Sequence, residues 1–529
     1  MDSNGVGTFY SDRITDWLHR RSGGQLILLV FIGGVLSGLS FAPLYLIPLL
    51  AVAYPLLLMV VFQSKSPLEA MAFGWWFGFG QLFMGTTWIA SAFEVDGRYP
   101  GWTGYLAVAC LAMVLALYYG LATGLLWRFF RRLNLTKNRL SLVLAFVVLW
   151  SGAEWLRGHF FTGFPWNLTG YAWGFSDIML QTTALWGIYG LGVLTIFLAL
   201  VPYLLIHAPL KSKLFSGSLG AAVVLILGMI VYGVLQLSIP TSFHENVKLK
   251  IVQANINQND KWDPAKKADN FITYLNMSKA RPEEGITHVI WPETAVVYFL
   301  DTEPSRRYLI AEFLKNNAVL MTGFPRVKRV PELQAWNSFA VIDQEAQVQY
   351  IYDKNHLVPF GEYTPDFLHN SLSFLGLGMM VEGFSYSRGE GLETYHPAGM
   401  PSVGVLICYE IIFPGSVVDR DDRPDWLLNI TNDAWYGRFN GPYQHFLQTR
   451  VRAIEEGRPV VRSAGTGISA VIDSQGRVIK ALDLNQRGTI TSGLPVKRAD
   501  RTLYSSIYDW TYLTIMLLLS GLVILFLRQ

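Results

Sequence analysis

Val403-Gly404-Val405-Leu406-Ile407-Cys408-Tyr409-Glu410 is an apolar run that ends in a thiol, with a carboxylate two residues further on. A short, continuous apolar run reads as a buried strand. A strand that delivers a cysteine to its C-terminal end, beside a carboxylate, presents a nucleophile. The chain has 2 cysteines. The other, Cys110, lies in a stretch that reads as a membrane span, so Cys408 is the thiol of the water-soluble part and no disulfide within the monomer is expected. A lone cysteine is more often a small buried hydrophobe, so the reading leans on two further segments.

The first is Thr287-His288-Val289-Ile290-Trp291-Pro292-Glu293, an apolar strand that runs out into a carboxylate and is closed by Pro292. The second is Tyr352-Asp353-Lys354-Asn355-His356-Leu357-Val358-Pro359-Phe360-Gly361-Glu362, which sets an ammonium and a carboxylate around a Pro/Gly-punctuated turn. Glu293, Lys354 and Cys408 thus stand at separate strand ends, spaced by roughly fifty to sixty residues, as expected of one site assembled from several strands. A carboxylate can take the thiol proton, a thiolate can attack a carbonyl, and a fixed cation can stabilise the oxyanion.

Trp291-Pro292-Glu293, the Lys354–Glu362 segment and Ile407-Cys408-Tyr409-Glu410 resemble the three catalytic motifs of the nitrilase (carbon–nitrogen hydrolase) superfamily. Gln253-Ala254-Asn255-Ile256, Lys261-Trp262-Asp263-Pro264 and Thr431-Asn432-Asp433-Ala434-Trp435-Tyr436-Gly437 match as well. Taken with the membrane spans, the whole chain resembles the bacterial apolipoprotein N-acyltransferase family. The resemblance implies catalysis by Glu293, Lys354 and Cys408. Glu362, Glu410 and Tyr409 would support them, and Trp262, Asn432 and Trp435 would shape a substrate pocket. It implies a phospholipid acyl donor of the phosphatidylethanolamine kind and, as acceptor, the α-amine of a diacylglyceryl apolipoprotein. The transfer would be a ping-pong reaction through a thioester. A membrane-tethered amidase of the nitrilase type is the alternative within enzymes. A transporter would call for inverted repeats and charged mid-membrane helices, which apart from Glu154 are not evident.

Composition supports the membrane half. The chain is 51% hydrophobic and 15% charged, against roughly 25% charged in an ordinary soluble domain. Apolar stretches near 24–42, 44–62, 68–92, 104–127, 140–158, 189–208, 214–237 and 510–528 are candidate spans, the third weakened by its glycines. The expected fold is a membrane α-helical bundle of about eight spans plus an α/β nitrilase-like α-β-β-α sandwich. The expected division is 1–237, 238–507 and 508–529. Arg13, Arg20, Arg21, Lys65, Arg128, Arg131, Arg132, Lys137, Arg139, Lys211, Lys213 and Arg528 flank one side of the spans, against little more than Arg98 and Arg157 on the other. That asymmetry places both termini in the cytoplasm and the polar segment in the periplasm, across a bacterial inner membrane. The first span lacks a cleavage signature and reads as a retained helix.

Within the polar segment, strands are expected at 247–253, 288–291, 319–322, 339–342, 403–407, 426–430 and 460–463, with helices at 265–280, 305–316 and 443–456. From His369 to Met380 an apolar, glycine-punctuated stretch without helical period reads as a lipid-facing lid, with Phe374 and Leu377 as substrate contacts. Glu154 and Arg157, one helical turn apart near the outer end of a span, suggest either an interfacial ion pair that anchors the helix or a substrate contact. His288, His356 and His445 lack metal-ligand spacing, so no metal is expected. No nucleotide fingerprint appears, so no cofactor is expected. No basic stripe with interleaved aromatics suggests nucleic acid.

Overall fold

The computed structural model describes residues 6–97, 100–133, 138–209, 212–279, 284–314, 317–329, 333–365 and 385–527. The proposed lid, with Phe374 and Leu377, lies outside them.

Each of the eight apolar stretches is helical. Four helices are long and apolar enough to cross a membrane: Trp102–Phe129, Arg139–His159, Thr183–His207 and Lys213–Leu237. Gly23–Gly38, Ile47–Gln63 and Trp510–Phe526 are shorter apolar helices. Two expectations need correction. The first stretch is helical only over Gly23–Gly38, and 68–92 is two helices, Pro67–Gly85 and Ile89–Asp96. The break after Gly85 is stabilised from outside, because Asn167 donates its Nδ2–H to the freed Gly85 carbonyl at 2.8 Å. The glycines that weaken the hydropathy signal are packing devices. A Cβ on Gly34 would lie 2.0 Å from the carbonyl oxygen of Phe77, so the two helices meet backbone to backbone.

From Phe243 onward the chain builds two six-stranded sheets. The first holds β1 (Phe243–Gln253), β2 (His288–Ile290), β3 (Val319–Lys328), β4 (Gln334–Ile342), β5 (Val348–Asp353) and β12 (Gly488–Pro495). The second holds β6 (Thr394–Tyr395), β7 (Val403–Ile407), β8 (Trp426–Thr431), β9 (Val460–Ala464), β10 (Ser469–Ile472) and β11 (Val478–Leu482). Their orders are β12-β1-β2-β3-β4-β5 and β11-β10-β9-β8-β7-β6. The central runs β1-β2-β3 and β7-β8-β9 are parallel and the flanking pairs antiparallel. Leu249, Ile251, Ile290 and Val341 of one sheet share a core with Val405, Ile407, Leu428 and Val461 of the other. The helices Lys267–Ser278 and Pro304–Phe313 pack on the outer face of the first sheet through Phe271, Leu275 and Ile310.

The helix Gly441–Glu456 is buried almost throughout, between the second sheet and the membrane helices. Its Leu447, Val451 and Ile454 join the same core as Ile188 and Leu191 of the helix Thr183–His207. That membrane helix is interrupted at Gly187, whose φ of 67° and ψ of 178° suit a residue without a Cβ. The interruption leaves the Ile188 N–H without a helical partner, and Glu455 Oε1 accepts it at 2.7 Å. The sandwich therefore caps a break in a membrane helix.

Glu154 and Arg157 do not form the expected ion pair. Glu154 accepts from the Thr169 N–H at 3.1 Å and its hydroxyl at 2.5 Å. Arg157 donates to the carbonyls of Phe164 and Trp166 at 2.6 and 2.9 Å. Both side chains therefore pin the loop from 160 to 169, which lies against the sandwich: Trp166 Nε1 donates to Gln444 Oε1 at 2.6 Å.

Candidate active site

Three strand ends converge. Glu293 follows β2, Lys354 follows β5 and Cys408 follows β7. Cys408 has a φ of 53°, an uncommon conformation for a side-chain-bearing residue. It turns the chain sharply from β7 into the 3-10 helix Cys408–Ile412. The turn is held by Glu410, whose Oε2 accepts the Ile407 N–H at 2.7 Å. Glu410 Oε1 accepts the Tyr352 hydroxyl and the N–H groups of Asn355 and His356, at 2.9, 2.8 and 3.0 Å. One buried carboxylate thus ties the Cys408 turn to the lysine loop, and both its oxygens are already engaged.

Lys354 Nζ donates to Glu362 Oε1 at 2.9 Å and lies 2.8 Å from Oε2. Asn337 on β4 bridges the carboxylates, its Nδ2 donating to Glu293 Oε1 at 2.7 Å and to Glu362 Oε1 at 3.1 Å. Burial would push the Lys354 ammonium towards its neutral form, but the charges of Glu362 and then Glu293 outweigh it, and its pKa is raised. Lys354 is therefore a fixed cation. Cys408 is pushed up to about 12, first by burial and then by the charge of Glu293, with Lys354 pulling the other way. The resting sulfur is a thiol, and it needs a base to become a nucleophile.

The Cys408 carbonyl accepts from His445 Nε2 at 3.2 Å. Its Nδ1 stands 3.0 Å from Asp433 Oδ1 and 3.1 Å from the NH2 of Arg462, which also donates to Asp433 Oδ2 at 2.7 Å. Burial holds His445 below the usual imidazole range, with the Arg462 charge acting in the same direction. This group of three holds the Cys408 backbone.

The supporting and pocket residues divide. Tyr409 is buried, and its hydroxyl donates to the Gly163 carbonyl at 3.5 Å, so it contacts the membrane-side loop. Asn432 is buried and donates to Gln258 Oε1 at 2.7 Å. With Lys261, Asn270 and Tyr274 it lines a cleft beside Glu293. Trp262 and Trp435 are 50% and 37% exposed, and neither lines that cleft.

Three neighbours of the site were not singled out from sequence. Asn337 lies in an unremarkable strand and carried no signal. Lys261 and Tyr436 sit inside motifs already quoted, each masked by a more conspicuous tryptophan beside it. Lys261 Nζ donates to the Glu293 carbonyl at 3.1 Å. Burial lowers its pKa to about 8 against the opposing charges of Glu293 and Cys408. Tyr436 places its hydroxyl 3.4 Å from Cys408 Sγ. Among the described residues no cluster of His, Cys, Asp or Glu could hold a metal ion.

Residues 33–201 match the family model of the apolipoprotein N-acyltransferase N-terminal domain, and residues 248–504 match that of carbon–nitrogen hydrolases. An apolipoprotein N-acyltransferase of Rhodopseudomonas palustris is 36% identical over 521 residues, 95% of each chain. One of Rickettsia typhi is 34% identical over 92% of this chain and 95% of its own. Among solved structures, XC1258 from Xanthomonas campestris, a CN-hydrolase superfamily protein, aligns with a TM-score of 0.36 and 18% identity, over 50% of this chain and 96% of its own. With apolar helices, a two-sheet sandwich and near end-to-end similarity of this kind, the chain belongs to the apolipoprotein N-acyltransferase family, a family of membrane-embedded enzymes.

Proposed function

We propose that this enzyme moves an acyl chain from a phospholipid, of the phosphatidylethanolamine kind, to the α-amine of a diacylglyceryl-modified N-terminal cysteine of an apolipoprotein, through a thioester on Cys408. The observation that carries the reading is where the thiol sits. Its neighbour Tyr436 packs on Trp88 and Trp166 of the helical part, so the nucleophile lies against the membrane-embedded half of the molecule. Both substrates are anchored in a bilayer, which accounts for a hydrolase-like sandwich fixed to apolar helices.

In the first half-reaction Glu293 takes the Sγ proton, and the thiolate attacks the ester carbonyl carbon. Lys354 faces the oxyanion that forms. The C–O bond breaks, Glu293 returns the proton to the leaving oxygen, and a lysophospholipid departs. In the second, the acceptor amine attacks the thioester and Glu293 takes a proton from the nitrogen. The C–S bond breaks, and the sulfur recovers its proton as the amide leaves. Glu362 and Asn337 hold Lys354 and Glu293 in register, Glu410 and Tyr409 hold the loops, and Asn432, Trp262 and Trp435 border the path of substrate. No step calls on a cofactor. The proposed layout has membrane helices over 1–237 and 508–529, both termini cytoplasmic, and the catalytic part 238–507 in the periplasm of a bacterial inner membrane.

The test is intact-mass analysis of the protein incubated with phospholipid. A labile adduct of acyl mass should form, persist without acceptor, and disappear when a diacylglyceryl-cysteinyl peptide is added. Cys408→Ser should abolish it and Cys110→Ser should leave it intact. Free fatty acid released at full rate without any amine would overturn the reading in favour of an amidase.

A further inference from the structure

Besides that of Thr431, which donates to Asp433 Oδ1, Cys408 Sγ has within hydrogen-bonding reach a hydroxyl that the two-step scheme leaves without a task. It belongs to Tyr436, at 3.4 Å, and both residues are buried. We propose that the Tyr436 hydroxyl is a catalytic hydrogen-bond donor to the Cys408 sulfur, aimed there by Trp88 and Trp166 of the helical part.

The ring has little freedom. Trp88 meets it edge-on, with centroids 4.6 Å apart and planes at 79°. Trp166 lies 5.7 Å away on a tilted contact, and the two tryptophans are 4.5 Å apart. His445, which holds the Cys408 carbonyl, meets the ring edge-on at 4.9 Å. Trp88 and Trp166 belong to different segments of the helical part, and both are anchored. The N–H of Trp166 is bonded to Gln444, and Trp88 opens the helix Ile89–Asp96. The backbone beside Tyr436 is docked on the same helical part, Asn440 Nδ2 donating to Thr87 Oγ1 at 3.1 Å. Burial, followed by the charges of Cys408 and Asp433, pushes the phenol well above its usual range, so the hydroxyl remains protonated throughout turnover.

The proposal rests on Cys408 being the nucleophile, and it adds an asymmetry between the half-reactions. A hydrogen bond to sulfur is strong when the sulfur is a thiolate and weak when it is a neutral thioester. It helps to form the thiolate in the first half, but it also lowers that thiolate's nucleophilicity, so the two effects partly cancel. In the second half the thiolate is the leaving group, and a donor that stabilises it speeds departure with nothing to offset the gain. The hydroxyl therefore matters most for release of the acyl group to the amine.

The test uses the full chain in detergent, in a Cys110→Ser background, with Tyr436→Phe as the variant, since Phe keeps the ring between its tryptophans. Two rates are measured on protein of matched melting temperature: alkylation of Cys408 by iodoacetamide at pH 8, and aminolysis of the preformed thioester. The expected result is a fall of about tenfold in aminolysis, the weight of one hydrogen bond to a charged acceptor, and a smaller fall in alkylation, where the lost stabilisation and the gained nucleophilicity oppose each other, with acyl-enzyme accumulating at steady state. An aminolysis rate within about threefold of the parent's, or alkylation falling more than aminolysis, would overturn the assignment. A failure of the underlying reading looks different: there Cys408→Ala would still transfer acyl chains, whatever Tyr436→Phe did.

Discussion

Asn337 Nδ2 lies 2.7 Å from Glu293 Oε1, and the same nitrogen reaches Glu362, the partner of Lys354, at 3.1 Å. The base and the fixed cation of the proposed scheme are therefore held by one amide group on a buried strand.

Asn337→Ala should slow thioester formation by about ten- to a hundredfold, because a hydrogen bond to a charged group contributes on the order of 1.5–3 kcal/mol. Rapid-quench mass analysis of the acyl-enzyme measures it. Asn337→Asp should be worse, since it places a third carboxylate against two others. Equal rates for the Ala and wild-type proteins would remove Asn337 from the site.

Glu362→Ala should cost more than Glu362→Gln. Both remove the charge that, with Glu293, outweighs the burial of Lys354, but the amide oxygen can still accept from Nζ. An expected loss of about 10²-fold in acyl transfer for the alanine variant follows from the weight of a single misplaced oxyanion group. Measuring kcat separately from KM places the loss in kcat.

Alkylation of Cys408 by a small reagent should rise with pH across the range 7 to 10 without a plateau, because the thiol is pushed up to about 12 and the reactive thiolate fraction grows about tenfold per unit below that value. The neighbouring charges act with opposite signs. Glu293 raises the thiol pKa and Lys354 lowers it. Glu293→Gln should therefore speed alkylation at fixed high pH while abolishing transfer from phospholipid, and Lys354→Met should slow both. If the two variants shift alkylation in the same direction, the electrostatic account of the site fails.

Glu455→Leu should destabilise the chain by about 3–5 kcal/mol, the usual result of removing one member of a buried charge pair. It leaves both Arg452, 2.7 Å away in the native fold, and the Ile188 N–H without their partner. A melting scan in detergent measures it. Glu455→Gln, which can still accept from Ile188, should lose less.

The apolar strands, and the three strand-end residues Glu293, Lys354 and Cys408 that the fold gathers, were legible because each obeys a local rule. The central strands β2, β7 and β8 are buried at every residue and read as mainly apolar runs. Glu293, Lys354 and Cys408 stand where three of the strands end. The strands β5, β6, β10, β11 and β12 were not legible. Several lie at sheet margins and are half exposed, as in β11, or are very short, as in β6, and carry no distinct pattern. The break at Gly85 and the true partners of Glu154 and Arg157 were also hidden, since the groups that satisfy them come from distant parts of the chain.

The sequence by itself determined which residues stand in the motifs at the strand ends, that the chain joins apolar helices to an α/β sandwich, and which family it resembles, because periodicity, charge and short motifs are properties of neighbours along the chain. The tertiary structure alone decided that Asn337 joins Glu293 to Glu362, that Glu455 caps the Ile188 end of a broken membrane helix, and that Trp88 and Trp166 press Tyr436 towards Cys408. Each of these contacts joins residues dozens to hundreds of positions apart in the chain. They exist because buried polar groups must find partners and buried rings must fill space, and local pattern does not encode which distant group will do so.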